Sequence, residues 1–343
     1  MTVTPPLSYM AGSGSRSADL LQDLAWGFSG ICLFVVLAIA VLIGMALLRS
    51  RRRRASQEGN AIGGGPDGLA LIWWGVGLSV PVLIAMAAWS FLVTRSLAEA
   101  PRGQPMTIEV TAHRWWWEIR YLNAGLPPVT TANELVMPAG VPVRLQLASS
   151  DVIHDFWVPK LGPKMDMVPG RTNQTWLQAD RAGVYRGQCA EYCGLQHAHM
   201  AFLVRAMPAA SFARWLSHEQ EAAAGTASAP WDLASPGPAE PSPAVAASTG
   251  PATAAPPEQA LFLERCAACH TVRGSGAGGI LGPDLTHFAS RSTLAAGTLP
   301  NTPSALDRWL GATQAVKPGA MMPQVSLRPE ERAALVRYLE GLS

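Results

Sequence analysis

Residues 106–121 read MTIEVTAHRWWWEIRY. Apolar and polar side chains alternate along them, and Ile, Val, Thr and Trp are abundant, which is the two-residue period of a strand with one face buried. Moving outward, ELVMPAGVPVRLQLAS (134–149), TNQTWLQAD (172–180) and MAFLVRAM (200–207) have the same character and are separated by Pro, Gly and Asn. Several short strands within about 100 residues predict a β-sandwich or barrel. The segment PAASFARWLSHEQEA (208–222) predicts a short helix that closes this domain.

Upstream lie two stretches without a charge, Leu24–Leu48 and Leu69–Thr94. Each exceeds the roughly 20 apolar residues that span a bilayer. The first starts late, has no basic segment before it and is longer than a signal-peptide core, so a cleaved signal is not expected. Overall composition agrees: 49% of the 343 residues are hydrophobic and only 15% charged, below the soluble average. A net charge of +2 is too small to suggest a nucleic-acid partner. Five arginines at Arg49–Arg54 fall between the spans, and such a run marks the cytoplasmic side. Both termini, and everything after about Ser96, are then expected outside the cytoplasm. Pro81 inside the second span predicts a mild kink, and Cys32 in the first reads as a small apolar residue.

Downstream, residues 223–257 are dominated by Ala, Pro, Ser, Gly and Thr, a composition that cannot bury enough to order itself. From Glu258 the pattern turns helical, with EQALFLERCAACH, TPSALDRWLGAT and RPEERAALVRYLEGL as expected helices. The last begins with Pro329 and two carboxylates, a helix-start signal. The chain is thus expected to divide into an extracytoplasmic segment (1–23), a transmembrane hairpin (24–96), a β-domain (105–222), a linker (223–257) and a helical domain (258–343).

Two motifs carry chemistry. CAACH, Cys266–His270, is the C-x-x-C-H site at which two thiols hold a haem covalently and the histidine ligates its iron. A thiol–disulfide pair is the alternative outside the cytoplasm. The sixth ligand is expected in KPGAMMP (317–323), at Met322, with Met321 second. Pro283 and Trp309 are expected to wall the haem. The second motif, GQCAEYCGLQHAHM (187–200), sets Cys189, Cys193, His197 and Met200 at C-x3-C-x3-H-x2-M spacing. This is a soft donor set that suits copper. Two cysteines suggest two ions bridged by paired sulfurs, and such a site needs a second imidazole. His154, read as lying on a loop after a strand, supplies it; His199 is a neighbour. A disulfide and a zinc site are the alternatives.

DVIHDFWVPKLGPKMDMVPGRTNQTW (151–176) together with GQCAEYCGLQHAHM resembles cytochrome c oxidase subunit II. ERCAACHT, GPDLTH, NTPSALDRWL and KPGAMMP resemble the caa-type variant, which carries a fused cytochrome c domain. The resemblance implies a multi-domain membrane protein: a two-helix hairpin, a cupredoxin-like β-sandwich with a dinuclear CuA centre, and an all-α class I cytochrome c domain. Cys189 and Cys193 would bridge the coppers, His154 and His197 would cap them, and Met200 and the Glu191 carbonyl would be weak ligands. The Glu191 side chain would reach a magnesium ion shared with subunit I. Trp115 would receive the electron, with Trp116 and Trp117 beside it and at least one of those two simply packing. Lys164 and Asp166 fall near the subunit I contact with no chemistry assigned. Cys266, Cys269, His270 and Met322 would hold haem c. The implied partners are subunit I, further oxidase subunits and an external donor such as a small cytochrome c, at the bacterial inner membrane. A quinol oxidase subunit, a CuA-bearing nitric or nitrous oxide reductase component and a membrane-anchored copper carrier or redox sensor are the rival classes. The first would lack the copper ligands, and CAACH argues against the carrier.

Overall fold

The computed structural model describes residues 12–55, 66–99, 106–122, 128–223 and 256–343. Two helices form one unit: α1 (Arg16–Ala55) and α2 (Pro66–Ala98). Within Arg16–Arg52 and Ile72–Ala98 the most apolar stretches reach mean hydropathies of 3.2 and 2.1, and almost none of their side chains is buried. A helix that is apolar all round is at rest in lipid rather than in water. Phe28 and Trp89 pack ring to ring between the helices at 6.1 Å. Pro81 lies inside α2, where lipid-facing helices tolerate it. The arginine run is helical: α1 continues through Arg54 rather than ending in a loop, because arginine is a good helix former. The expected linker lies almost wholly outside the described residues.

The β-domain is a sandwich of two five-stranded sheets. The first contains β1 (Thr107–His113), β2 (Trp116–Leu122), β3 (Val129–Ala132), β5 (Val143–Ser149) and β8 (Asn173–Leu177), in the order β3-β2-β1-β5-β8. The second contains β4 (Glu134–Pro138), β6 (His154–Trp157), β7 (Met165–Met167), β9 (Gly183–Cys189) and β10 (Ala201–Met207), in the order β4-β10-β9-β6-β7. β1 pairs with β5 in parallel, as does β10 with β4, so the strand order crosses over in both sheets.

The alternation in residues 106–121 appears as strict burial of every second side chain in β1 and β2. Ile108, Val110 and Ala112 face inward from β1; Trp117, Ile119 and Tyr121 do so from β2. Trp117 is therefore core, packed on Phe202 at 4.9 Å and Phe156 at 6.0 Å. Trp116 points the other way and stacks on His113 at 4.2 Å. The Tyr121 hydroxyl donates to the Val136 carbonyl (3.0 Å) and accepts from its N–H (2.7 Å), so the buried phenol has both roles satisfied. Helix α3 (Ala209–Glu219) follows β10 and buries Phe212 and Trp215 against Tyr121.

The helical domain is built from α4 (Pro257–Arg265), α5 (Pro303–Gly311), a single turn α6 (Thr313–Val316) and α7 (Pro329–Glu340). Its core is Phe262, Val272, Phe288, Leu306, Leu310, Leu335 and Leu339. Thr302 caps α5 by accepting from the Ala305 N–H, with Pro303 at the first helical position. Pro329 and Glu330–Glu331 start α7 as the helix-start signal predicts, and Glu331 accepts the Arg328 N–H at 2.8 Å.

Where α3 meets this domain, two buried groups titrate in opposite senses. Burial pushes the Glu219 carboxyl up to about 7 and, with His218 beside it, drives the His287 imidazole down to about 4. The folded chain holds a proton on Glu219 that the unfolded chain releases near 4.5, so Glu219 erodes stability as pH rises from 4.5 to 7. It refuses one at His287 that the unfolded chain accepts at 6.5, so His287 erodes stability as pH falls from 6.5 to about 4. Each displacement is worth roughly 3 kcal/mol, and over the shared window the two offset. Glu219→Gln is expected to gain stability over its parent as pH rises through that window, and His287→Leu to gain it as pH falls. Thermal midpoints of parent and variants across the range, followed by near-ultraviolet circular dichroism, check both signs.

Candidate metal centre

The second sheet brings the candidate copper donors together. β6 pairs with β9, setting Phe156 opposite Cys189, so the start of one strand and the end of the other meet at the same rim. His154 opens β6 rather than lying on a preceding loop. The chain leaves β9 at Cys189, turns through Glu191 and Cys193, makes a single 3-10 turn at His197–His199 and enters β10 after Met200. The Cys189 N–H donates to the Met200 carbonyl (3.0 Å), which closes the loop on itself.

The resulting geometry is compact. The two sulfurs are 3.8 Å apart. Cys189 Sγ is 3.8 Å from His154 Nδ1, and Cys193 Sγ is 3.7 Å from His197 Nδ1. Met200 Sδ is 3.8 Å from Cys193 Sγ, and the Glu191 carbonyl is 3.2 Å from Cys189 Sγ. A metal–sulfur bond and a metal–imidazole bond sum to about 4.3 Å. Each sulfur–nitrogen gap is therefore short enough for one ion to touch both atoms, and the two sulfurs are close enough to share two ions. The donors fit a pair of soft, copper-like ions. Cys189, Cys193, His154 and Met200 are all buried, which leaves little room for water as a competing ligand.

Hydrogen bonds fix the donors' orientation. Asp151 Oδ1 accepts from His154 Nε2 at 2.8 Å, leaving Nδ1 facing the sulfur, as supporting carboxylates do for ligating imidazoles. Asp151 is in turn held by the N–H groups of Arg114 and Val152, both at 2.7 Å. Burial raises the Asp151 carboxyl, but His154 and the two N–H groups outweigh it and hold the group below its ordinary value. Burial likewise opposes charge on His154, yet Cys189 and Asp151 raise its pKa overall. The thiols act as one unit: the contact between the two sulfurs, together with the His154 ring, holds Cys189 below the ordinary thiol value, while the same contact and burial push Cys193 up. A thiolate is therefore ready to take up a metal. Below this sits an aromatic floor, with Trp117 6.4 Å from the His154 ring.

Next to the pocket lies a second cluster. Asp155, Asp166 and Glu191 each bring an oxygen within 4.8 Å of the others. Lys164 Nζ stands between two of them, 2.9 Å from Asp155 and 4.0 Å from Glu191. Burial pushes Asp155 up to about 6 against the pull of Lys164.

In the helical domain, α4 ends at Arg265, so CAACH forms a turn beyond the helix rather than its last turn. The turn stays tight because the Cys269 and His270 N–H groups both donate to the Cys266 carbonyl at 3.1 Å. His270 Nδ1 donates to the Pro283 carbonyl at 2.9 Å, which leaves Nε2 free to ligate, and burial lowers its pKa so the ring stays neutral. This is the Pro283 expected to wall the haem, and it also orients the histidine. Met322 and Trp309 pack against the same cluster as Cys266, whereas Met321 is 75% exposed. Gln314 holds the methionine loop by donating to the Ala320 and Met322 carbonyls, at 2.9 and 2.8 Å. The tethered thiols, neutral imidazole and partly buried thioether fit a haem.

Family comparisons match the β-domain and the helical domain. The family described as cytochrome c oxidase subunit II, periplasmic domain, covers residues 123–207, and cytochrome c covers 259–343. Cytochrome c oxidase subunit 2 of Alkalihalophilus pseudofirmus is 32% identical over 90% of this chain and 82% of its own length. The chain belongs to the cytochrome c oxidase subunit II family. The subunit 2 of Bacillus sp. strain PS3 is 30% identical over 85% of this chain and 79% of its own. Among solved structures, the periplasmic domain of subunit II of cytochrome oxidase of Bradyrhizobium japonicum is 32% identical, covering 36% of this chain and 97% of that one, with a TM-score of 0.33. As subunit II of a haem–copper oxidase, the chain is part of an oxidoreductase and an associate of subunit I. It carries a CuA domain of periplasmic type on a membrane anchor, together with a haem-binding cytochrome c domain.

Asp151, Glu134 and Lys317 escaped the sequence reading. Asp151 was open to it, standing three residues before His154 in SSDVIH. The other two make contacts only the folded chain reveals.

Proposed function

We propose that this subunit conducts electrons from a small periplasmic donor, received in its cytochrome c domain, through its CuA domain to subunit I, where oxygen is reduced to water. His154, Cys189, Cys193, His197, Met200 and the Glu191 carbonyl would hold the copper pair; Cys266, Cys269, His270 and Met322 would hold a covalently attached haem c. When bound, these groups supply reversible one-electron states. The chain's part is to keep donor atoms nearly still as charge changes, and the closed loop from Cys189 to Met200 and the Asp151–His154 bond serve that end. The observation that carries the reading is one hydrogen bond: Trp115 Nε1 donates to the Cys193 carbonyl at 3.0 Å. The same indole packs beneath the loop that leads to Met322. The carboxylates of Asp155, Asp166 and Glu191 would take magnesium at the contact with subunit I, a hard ion for hard oxygens. The arginine run supports a topology with the short connection between the spans in the cytoplasm and both termini in the periplasm.

The test is rapid mixing of the oxidised holo-oxidase with a one-electron donor, monitored at the haem and copper absorption bands. Haem c is expected to be reduced first and copper second, in one kinetic sequence; copper reduced ahead of haem would overturn the order. Met322→Ala is expected to abolish the sulfur-to-iron band and lower the haem potential on the order of 0.1–0.3 V, within the ~0.8 V that axial ligands command. Met321→Ala is expected to leave both unchanged.

A further inference from the structure

The β-domain and the helical domain meet through buried polar contacts that the electron path does not require. The Lys317 ammonium is 3% exposed. It donates to three main-chain carbonyls: Trp115 at 2.8 Å, His199 at 2.9 Å and Ala295 at 2.9 Å. Two acceptors belong to the β-domain and one to the helical domain, so the three ammonium hydrogens tie both to the loop that begins at Lys317. Beside it, Gln196 Nε2 donates to the Pro318 carbonyl at 2.8 Å. The loop then passes Gly319, where φ is +77° and an added Cβ would lie 3.6 Å from the Trp115 ring. An added Cβ at Gly194, where φ is +111°, would lie 3.2 Å from the same ring. Two glycines thus let main chain approach the indole closely, and the indole is 8% exposed.

A second buried contact lies away from the tryptophan. Glu134 Oε1 accepts from the Ser292 N–H at 2.6 Å and the Thr293 N–H at 3.2 Å, and Arg205 balances its charge at 3.2 Å. Main chain joins the domains as well, with the Ala201 N–H donating to the Ala296 carbonyl at 3.0 Å. Lone buried charges are costly unless paired or fully hydrogen-bonded. Two such buried groups that complete their hydrogen bonding across the seam mark a specific pose, not a loose encounter of tethered domains.

We infer that Lys317 is a latch that holds the cytochrome c domain in one docked pose, with residues 317–322 laid over Trp115 as the bridge toward Met322. Lys317 is a positioning residue: its three hydrogen bonds go to main-chain carbonyls, not to the side chains that would hold copper or haem. The covered indole also closes the direct route, so a periplasmic donor reaches CuA through the cytochrome c domain. This rests on the reading that electrons arrive in that domain, and deepens it by naming what fixes the geometry.

The test uses the intact solubilised oxidase and follows electron transfer from haem c to copper after photoinjection into the haem. Lys317→Met is expected to keep its haem and copper spectra while transfer slows about tenfold or more, the scale that a small misplacement costs. Its rate is also expected to become dependent on solvent viscosity, since each transfer then waits for the domains to meet. Lys317→Arg is expected to recover part of the rate. A Lys317→Met rate within twofold of the parent, with no viscosity dependence, overturns the latch. Should that variant lose haem or copper, Glu134→Gln loosens the same pose from the far contact: slowing with viscosity dependence supports the inference, and an unchanged rate overturns it. A parent enzyme in which the haem never passes its electron to copper would instead overturn the function proposed above.

Discussion

Cys189→Ser is expected to yield an oxidase that reduces its haem normally and then stalls. Serine matches cysteine in shape, and the position is buried at the end of β9, so the sandwich should fold. What is lost is the sulfur that lies within 3.8 Å of Cys193, within 3.8 Å of His154 and 3.2 Å from the Glu191 carbonyl. A hydroxyl is a harder donor and stays protonated, so it cannot bridge two soft ions. Loss of a supporting hydrogen bond costs roughly 10–100-fold in metal affinity, and loss of a bridging donor should exceed that. Asp151→Asn, which takes the charge from the group that supports His154 and leaves one oxygen where two accepted hydrogen bonds, is expected to fall within the smaller range. Copper content per chain, the mixed-valence absorption and the steady-state reduction of haem c measure the effect. A serine variant that retains two coppers and full oxygen uptake would refute the paired-thiolate site.

The sequence carried the chemistry of this centre further than its architecture. Soft donors at short spacing announce themselves in GQCAEYCGLQHAHM because one loop supplies most of them. The β-alternation in residues 106–121 was equally open, and the burial pattern of β1 and β2 follows it. A period of two cannot say which phase faces inward, however. Trp117 became core and Trp116 surface only once Phe156 and Phe202 arrived from the other sheet. His154 was expected on a loop because no local pattern shows that a later strand pairs with it; the partner that makes His154 the first residue of β6 is Met167 of β7, and β9 joins only from Phe156 onward. CAACH was expected as a helical turn, but its hydrogen bonds converge on one carbonyl, at Cys266, and α4 stops before it. Lys317 was least legible of all. Its acceptors lie 202, 118 and 22 residues away, and in KPGAMMP the eye goes to the methionines.

Trp115→Leu should divide the ring from the pose. The indole donates to the Cys193 carbonyl and packs on the loop at Gly319, so it spans the gap between the two cofactor sites. Leucine fills part of the space with apolar atoms but supplies neither the N–H nor the π-system. The Lys317 latch uses the Trp115 main-chain carbonyl, which the substitution retains. The domains should therefore stay docked while the bridge between them is broken. Transfer from haem c to copper is expected to slow by about tenfold or more, equivalent to ~1.4 kcal/mol or more of barrier, with copper content intact and no dependence on viscosity. That last point separates it from Lys317→Met, in which the ring remains and the pose is loosened. Trp115→Phe, which keeps an aromatic ring but loses the donor, is expected to fall between leucine and the parent. Were the leucine variant to transfer electrons at the parental rate, the path would have to leave the β-domain by another residue, and the indole would be reduced to packing.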